Sequence, residues 1–585
     1  MGKLQQVAVC LTQFLYNGTM SIARGKEIFQ KMYNKELEMK ILVLDDARLI
    51  RLTISARLRQ AGYNVMAVGT VDEAVAILKH HHASFYAIIS DIVMGDIDGF
   101  AFRNFVRGIA PSLPIFFMTA MDPEEGSGFL KKIISDPLSY YLPKSVSTDV
   151  LIKRMQRVVS TRRIQQFVEN QVEEQNKALA LAEHVQRNML SPRAMMNERM
   201  FYTTWWQPHE SVSGDLYEAM PTGSGRMLFV LGDIQGHGTN AALVMMAVQV
   251  FLRQIVQSHG QENRLLSPET IANQLQEFFR DNFADVSYMT AFICLFTPGD
   301  ESGGGEVAAI CCGASDFVAM DTVNKCTIPV NPQHRGGLPI GLMPDTVYSA
   351  DDVVTVTLRK GTVCAVGTDG MIEISREDDD NDRIPLATLD QIGMATVMDM
   401  SESGSIMVAP DRFFSACSDL GYRKVNDDVT LLLFGTRAKL PGIYEATTML
   451  SPALVDRTAQ AMAKWCADEG WPDDLSSRLQ LVLEEHLMNV YDHGFTDQQR
   501  RKDVVSLRLR KWANRAELTV WDRGHPPPNL KVAAGSTETA LDLANINLDG
   551  RGRGRLMIRQ ICDGIQRQCY GALNETVYDV PLNAK

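Results

Sequence analysis

Three groups of residues in this chain have types and spacings suited to chemistry on phosphate. In the first, Asp45 and Asp46 follow the apolar run Ile41–Leu44, and Asp91 closes the run Ile88-Ile-Ser-Asp91. Clustered carboxylate oxygens are hard ligands that suit Mg2+. Thr119 and Lys144, each placed just after a further apolar run, add a hydroxyl and an ammonium. Such a set offers a nucleophilic carboxylate, a metal and two groups able to stabilise a bound phosphoryl. In the second group, Ser213-Gly-Asp215, Gly232-Asp-Ile-Gln-Gly-His-Gly238, Thr368-Asp-Gly370 and Asn426-Asp-Asp-Val-Thr430 each set an aspartate at the edge of an apolar run or beside glycine. A lone Asp-Gly is a turn. Several such carboxylates drawn together repel one another, whereas two divalent cations would hold them and could activate a water. In the third, Glu485 and Asn489 stand four apart, hence on one helix face, Asp522-Arg-Gly524 follows an apolar run, and Gly550-Arg-Gly-Arg-Gly554 opens a helix. Free amides at a helix start receive phosphate.

The elements that must position these groups follow from the hydrophobic pattern. Residues 40–150 alternate short apolar runs with helix-like stretches (Ile41–Leu44, a polar helix to about Ala61, Tyr86–Ile89, Pro114–Met118), which predicts a doubly wound parallel α/β sheet. In such a sheet the ligand site lies outside the carboxyl ends of the strands, where the first group falls. From about Leu151 to Leu190 the chain is rich in Gln and Glu and free of Gly and Pro, which predicts a linker helix. A 4,3 spacing from position 168 to 189, interrupted by Gln175 and Gln186, suggests a seam through which two copies could pair as a homodimer. Residues 196–438 alternate strand-like runs with Gly-rich turns and one apolar helix, Ala241–Leu252, entered through Gly236 and Gly238; an α+β sandwich is expected. After Pro441 and Gly442, residues 444–585 mix helices (Ala453–Glu469, Asp474–Tyr491) with strands (Val504–Leu509, Ala516–Val520, Thr576–Val580). The expected domains are therefore 1–38, an extension; 39–150; 151–195, the helical linker; 196–438; and 444–585. The acidic run Asp378–Asp382 is expected to be a solvated loop.

In order and spacing, Leu44-Asp-Asp46, Ser90-Asp91, Met118-Thr-Ala120 and Pro143-Lys144 resemble a two-component receiver domain. The resemblance implies Asp91 as phosphoacceptor, Asp45 and Asp46 with Asp91 around Mg2+, Thr119 and Lys144 as phosphoryl contacts and Tyr141 as a switch aromatic. It also implies a sensor histidine kinase or phosphotransfer protein as partner. Gly95 and Ser145 stand where proline is common, which touches loop geometry only.

The second group resembles the PPM family of Mn2+- or Mg2+-dependent Ser/Thr phosphatases, in its bacterial sporulation and stress-response branch, over most of residues 185–436, including Gln186–Pro192 and Gly337–Gly341. It implies two cations held by Asp215, Asp233, the Ile234 carbonyl, Asp369 and Asp427, with Asp428 as the neighbouring alternative. The implied reaction is in-line attack of metal-activated water on phosphoserine or phosphothreonine, without a phosphoenzyme. Ser213 replaces a frequent glycine and Glu218 a frequent aspartate. His237, between two glycines, is assigned a loop-structural role in preference to that of general acid.

The third group resembles the GHKL ATP-binding fold, and within it the anti-sigma-factor serine kinases. That implies ATP with Mg2+, Glu485 as general base, Asn489 as Mg2+ ligand, Asp522 as adenine contact, and Gly524, Gly552 and Gly554 in phosphate or lid loops. The stiff His525-Pro-Pro-Pro528 departs from the pattern.

Together these resemblances describe a partner-switching response regulator. Its phosphatase and kinase would act on a STAS-type anti-sigma-factor antagonist; the alternative is a terminal domain that only sequesters a sigma factor or antagonist. Composition agrees. A chain of 585 residues with 45% hydrophobic content needs several cores and is not disordered. The net charge of −12 argues against a protein that coats nucleic acid. Segment 196–440 carries 16 basic and 32 acidic residues, a balance of −16, so the acidity sits with the proposed metal ligands. Ten scattered cysteines without a Cys-x-x-Cys pair, no signal peptide, and an apolar run too short to span a bilayer point to a cytoplasmic bacterial protein without membrane contact.

Overall fold

The computed structural model describes residues 40–583 except 95–96, 121–132, 134, 223–224, 263–265, 285, 300–302, 315–316, 329, 331–336, 403, 438–439, 496–502 and 525–552. It gives the backbone alone of 83, 97–98, 148, 159–170, 261–262 and 553–556. The expected extension 1–38, Gly95, Gly552 and the segment His525–Pro528 lie outside the described residues. The chain divides into two compact units, Met1–Asn176 and Lys177–Lys585.

In the first unit, strands β1 (Lys40–Leu44), β2 (Asn64–Val68), β3 (Phe85–Asp91), β4 (Ile115–Thr119) and β5 (Ser139–Pro143) form a parallel sheet in the order β2-β1-β3-β4-β5. Every residue of β3 and β4 is buried, the pattern of strands covered on both faces. Apolar clusters form on either side of the sheet, against helices α1 (Arg48–Gln60), α2 (Val71–His81) and α3 (Gly99–Ile109). The Thr70 hydroxyl caps α2 by accepting from Glu73 N at 3.3 Å. The long helix α4 runs Thr148–Met189.

The second unit opens with two antiparallel sheets packed face to face. One has the order β8 (Asp215–Pro221), β9 (Met227–Ile234), β10 (Met289–Pro298), β11 (Gly305–Cys312) and β14 (Val354–Leu358). The other runs β13 (Cys326–Ile328), β12 (Val318–Asp321), β15 (Thr362–Gly367), β16 (Val429–Thr436), β7 (Met200–Gln207) and β6 (Ala194–Met196). Tyr202, Phe229, Phe292, Phe296 and Phe434 fill the space between them. Helices α5 (Thr239–Glu262) and α6 (Pro268–Asn282) cover the outer face of the first sheet. Helices α7 (Leu386–Glu402) and α8 (Ala409–Asp419) cover that of the second. Residues 194–196 pair with β7 and so belong to this sandwich, which puts the boundary expected between 195 and 196 inside this strand. Helix α5 is apolar enough to cross a membrane by length and composition, yet its Val244, Met245, Val248 and Leu252 pack on the sheet. Asp378–Asp382 is an exposed turn tied by Asp382 to Arg376 and by Asp380 to Lys424.

The last sheet has the order β17 (Ile443–Met449), β18 (Val504–Lys511), β19 (Arg515–Asp522), β21 (Leu573–Pro581) and β20 (Gly564–Tyr570). Helices α9 (Pro452–Asp468), α10 (Asp473–His493) and α11 (Arg553–Ile561) bury one face of it. The other face packs on α8 and β7 through Val504, Trp521 and Leu573. This period-two division, with Val505, Leu507, Leu518 and Val520 on the helical side, is what strand geometry dictates.

Candidate functional sites

In the first unit, β1 and β3 deliver Asp45 and Asp91 side by side. Carboxylate oxygens of Asp45, Asp46 and Asp91 all lie within 4.8 Å of one another, Asp45 and Asp91 buried and Asp46 exposed. Lys144 Nζ sits 2.5 Å from Asp91 Oδ2 and 3.3 Å from Asp45 Oδ2. Thr119 is buried at the end of β4, and its carbonyl accepts from Lys144 N at 2.8 Å, which fixes the lysine on the loop after β5. Burial pushes the Asp45 carboxyl up, opposed by the Lys144 charge. Burial also works to lower the Lys144 ammonium, but the Asp91 hydrogen bond and the charges of Asp91 and Asp45 outweigh it and hold it above its usual value. Half-buried Tyr141 offers its carbonyl to Arg154 of α4 at 2.8 Å.

In the sandwich, β8 and β9 pair so that Asp215 stands directly opposite Asp233. Asp215 Oδ2 accepts from Thr430 Oγ1 at 2.5 Å and Thr368 Oγ1 at 2.8 Å. Asp215 Oδ1 is buried without a hydrogen-bond partner among the described residues. Asp369 follows Thr368 into a 3-10 turn, Asp369–Glu373. There only glycine fits at 370, since a Cβ would lie 2.0 Å from the Asp428 carbonyl oxygen, and this approach brings Asp369 beside Asp427. Gly236 and Gly238, with φ of 88° and 77°, make the turn from β9 into α5. The Ile234 carbonyl lies 3.1 Å from where a Cβ on Gly214 would sit, close to the start of β8. Burial and the charge of Asp233 raise the Asp215 carboxyl well above the usual range. Burial, then Asp369, Asp427 and Asp428, push Asp233 up to about 8. Burial and Asp427 raise Asp369. These carboxylates neighbour one another in pairs, although among the described residues no three of them bring ligand atoms within 4.8 Å of one another; paired carboxylates with a lone pair left over are a donor set that fits divalent cations.

Asp427, the expected ligand, and Asp428, its neighbouring alternative, differ in geometry. Asp428 is buried, and its two oxygens accept from His209 N at 2.7 Å and Gly214 N at 2.6 Å, so it ties down the loop before β8. Asp427 is only half-buried and accepts from Asp428 N at 2.8 Å. His237 and Glu210 form an exposed pair at 3.4 Å beside this site.

The end of α4 reaches the same strands. Buried Gln186 accepts from Ser213 N at 3.0 Å and donates to Ser213 O at 2.6 Å. The hydroxyl that replaces a glycine here has work to do, since Ser213 Oγ accepts from Asp215 N at 3.0 Å. Glu218 accepts from Ser191 Oγ at 2.5 Å and from Arg253 Nη2 of α5 at 2.7 Å.

In the last domain, Asn489 Nδ2 donates to the Glu485 carbonyl at 2.6 Å and to its Oε1 at 3.0 Å, both side chains half-buried on one face of α10. Asp522, at the end of β19, is buried; its Oδ1 accepts from Gly524 N at 2.8 Å and Asn574 Nδ2 at 3.0 Å. Its Oδ2 lies 3.5 Å from His486 Nε2, while His486 Nδ1 contacts Tyr578 Oη at 2.7 Å. Burial would raise the Asp522 carboxyl, but His486, Arg567 and Asn574 prevail and lower it. Gly554 lies in the first turn of α11. Asn574, His486 and Tyr578 were not singled out in the sequence: no local spacing links Asn574 or Tyr578 to Asp522, and His486 is masked by standing beside Glu485.

Residues 41–156 match the response regulator receiver domain model, 223–437 the model of stage II sporulation protein E (SpoIIE), and 449–577 the histidine kinase-like ATPase domain model. The chain is similar to the two-component response regulator ARR12 of Arabidopsis thaliana, 29% identical over 125 residues, covering 21% of this chain and 20% of the relative. It is also similar to response regulator MprA of Mycobacterium tuberculosis, 29% identical over 124 residues, covering 21% and 51%. The chain thus spans about a fifth of the length of the first of these relatives. The crystal structure of the RsbU and RsbW domains of Rv1364c from Mycobacterium tuberculosis aligns with 66% of this chain and 95% of its own, at 17% identity and a TM-score of 0.33.

Proposed function

We propose that this chain, which joins a response regulator receiver domain, a SpoIIE-type domain and a histidine kinase-like ATPase domain in that order, is a partner-switching phosphoswitch in which phosphorylation of Asp91 governs a two-metal Ser/Thr phosphatase. The substrate is a small STAS-type antagonist carrying phosphoserine, which the last domain rephosphorylates. A sensor histidine kinase or phosphotransfer protein supplies the phosphoryl group to Asp91, and the whole cycle is cytoplasmic.

The observation that carries this proposal is the Asp215 carboxylate, held by two threonine hydroxyls on one oxygen, left with a buried lone pair on the other, and set opposite Asp233. Asp215, Asp233, the Ile234 carbonyl, Asp369 and Asp427 would hold two Mn2+ or Mg2+, which neutralise the carboxylates and lower the proton affinity of a water. The chain's own part is to fix these ligands. Thr368 and Thr430 orient Asp215, Gly370 lets Asp369 close on Asp427, and Asp428 pins the loop that leads to β8. In the receiver, Asp45 and Asp46 would hold Mg2+ while Lys144 and Thr119 meet the phosphoryl oxygens. Gln186 and Glu218 support α4 as the route of control, because Gln186 near its end holds Ser213, two residues before Asp215, and Glu218 holds Ser191 just after it. In the last domain Glu485 would take the proton of the acceptor serine, Asn489 would ligate Mg2+ and Asp522 Oδ2 would accept from the adenine amino group.

The test is Mn2+-dependent release of phosphate from a phosphorylated antagonist by the purified full chain. Asp233→Ala and Asp369→Ala should each abolish it; turnover retained in either folded variant refutes the two-metal site. Incubating the dephosphorylated antagonist with ATP and looking for phosphoserine separates a kinase from a domain that only sequesters its partner.

A further inference from the structure

The last sheet is covered on both faces, and its β19 strand connects them. Asp522 points to the helical side, where the nucleotide reading places adenine, and its neighbours Trp521 and Arg523 point to the phosphatase side. Arg523 donates from Nε to Asp411 Oδ1 at 2.9 Å and from Nη2 to Asp411 Oδ2 at 2.5 Å, a two-pronged pair whose side chains are 8% and 1% exposed. Asp411 lies in the first turn of α8. That helix leads on to the metal ligands. Phe414 stacks on Trp205 at 4.7 Å, and Met407 just before α8 accepts from Thr203 Oγ1 at 2.8 Å. Thr203 and Trp205 belong to β7, whose next residue, Trp206, is paired with Thr430 and donates to the Asp215 carbonyl at 3.3 Å.

The seam is costly to close. Arg193, Arg412, Arg437, Arg508 and Arg523 line it, and Arg193, Arg412, Arg437 and Arg508 each bury a guanidinium nitrogen without a hydrogen-bond partner among the described residues. Facing them are Asp411, Glu445 and Asp503. Desolvating so many charges offsets much of what Val504, Trp521 and Leu573 gain by burial, which leaves docking near balance and therefore easy to bias.

We propose that the phosphatase is nucleotide-responsive: an adenine nucleotide seated against Asp522 and the docking of Arg523 on Asp411 favour each other, so that nucleotide binding raises phosphatase turnover. This rests on the nucleotide pocket proposed above. Fixing Asp522 and Gly524 around adenine also fixes the residue between them, and docked α8 supports β7 behind Thr430 and Asp215. Because coupling between two binding equilibria is reciprocal, loss of the Asp411 pair must weaken nucleotide binding by the factor through which nucleotide favours docking.

The experiment uses the full chain with p-nitrophenyl phosphate at constant free Mn2+, with and without ADP, and a titration with a fluorescent ADP analogue. In the wild type ADP should raise turnover at least about fivefold, the low end of the usual range of coupling between sites. Asp411→Asn, which touches neither pocket, should remove that response and weaken analogue binding severalfold. If the analogue binds the wild type but ADP leaves turnover unchanged, the coupling is wrong and the pocket stands. If the analogue does not bind at all, the pocket and the coupling both fall. Should Asp411→Asn not fold, the wild-type comparison decides alone.

Discussion

The receiver and the phosphatase domain each gather aspartates at strand ends, but they balance the charge differently. In the receiver, Lys144 stands within 2.5 Å of Asp91 and 3.3 Å of Asp45, so the carboxylates have a counter-charge of their own. Asp215, Asp233, Asp369 and Asp427 have no ammonium or guanidinium among the groups that shift Asp215, Asp233 and Asp369; their neighbours are one another, and burial with mutual repulsion raises those three. A site with its own cation can fold and wait for metal. On the proposed reading, a site without one would be held together by metal, so its activity should follow metal supply and pH steeply.

Substitution should separate the two regions most. Asp233→Asn removes a carboxyl whose ionisation burial and the neighbouring aspartates oppose. It should abolish Mn2+-dependent hydrolysis, a loss of at least about a thousandfold if metal activation supplies several kcal/mol of the barrier lowering. The same change should raise the melting temperature of the metal-free chain, as activity and calorimetry of one preparation would show. In the receiver, Lys144→Ala should do the reverse to stability. It leaves buried Asp91 and Asp45 without their counter-charge and should cost about 3 kcal/mol in that domain, read by denaturant unfolding. An Asp233→Asn variant less stable than wild type without metal would break the contrast.

Next in size is the effect of pH. Asp233 is held near 8 in the folded chain and titrates near 3.8 when unfolded. The folded state therefore binds more protons between those values, and the metal-free domain should lose stability as pH rises from about 4 to 8. Metal must displace those protons, so Mn2+ affinity should climb between pH 6 and 8, by up to about tenfold per unit for each proton released, and level off above. Calorimetric titration at pH 6, 7 and 8 checks this; equal affinity at all three would contradict it.

Asp427 and Asp428 give a smaller but sharper contrast. Asp427→Asn should remove Mn2+-dependent turnover. Asp428→Asn, which turns one acceptor into a donor facing a backbone N–H, should cost about 1–3 kcal/mol of stability while a metal site remains. Smaller again is Gln186→Ala, which leaves both Ser213 backbone groups unpaired and should lower Mn2+ affinity by about tenfold, equivalent to about 1.4 kcal/mol.

Much of this was legible in the sequence because apolar runs that end in aspartate name both a strand and the place where it delivers its side chain. The parallel sheet, the sandwich and the carboxylates of the first two sites follow from such local signals. What was not legible depends on partners far away in the chain. Asn574 meets Asp522 only because β21 pairs beside β19. Asp411 looks like an ordinary acidic residue in the first turn of a helix until Arg523 is found on it. The choice between Asp427 and Asp428 turns on which way the backbone faces at the start of β16, which composition cannot reveal. The boundary expected between 195 and 196 falls inside the short β6 because three residues carry too little periodicity to declare a strand.

Counting bound Mn2+ on the purified chain at pH 8 without nucleotide tests the central contrast most directly. The wild type should bind three ions: one lost in Asp45→Asn, and two lost together in Asp369→Asn while the receiver's ion stays. A wild-type chain that binds a single ion, lost in Asp45→Asn and untouched by Asp369→Asn, would show that the crowded carboxylates of the sandwich are not a two-metal site.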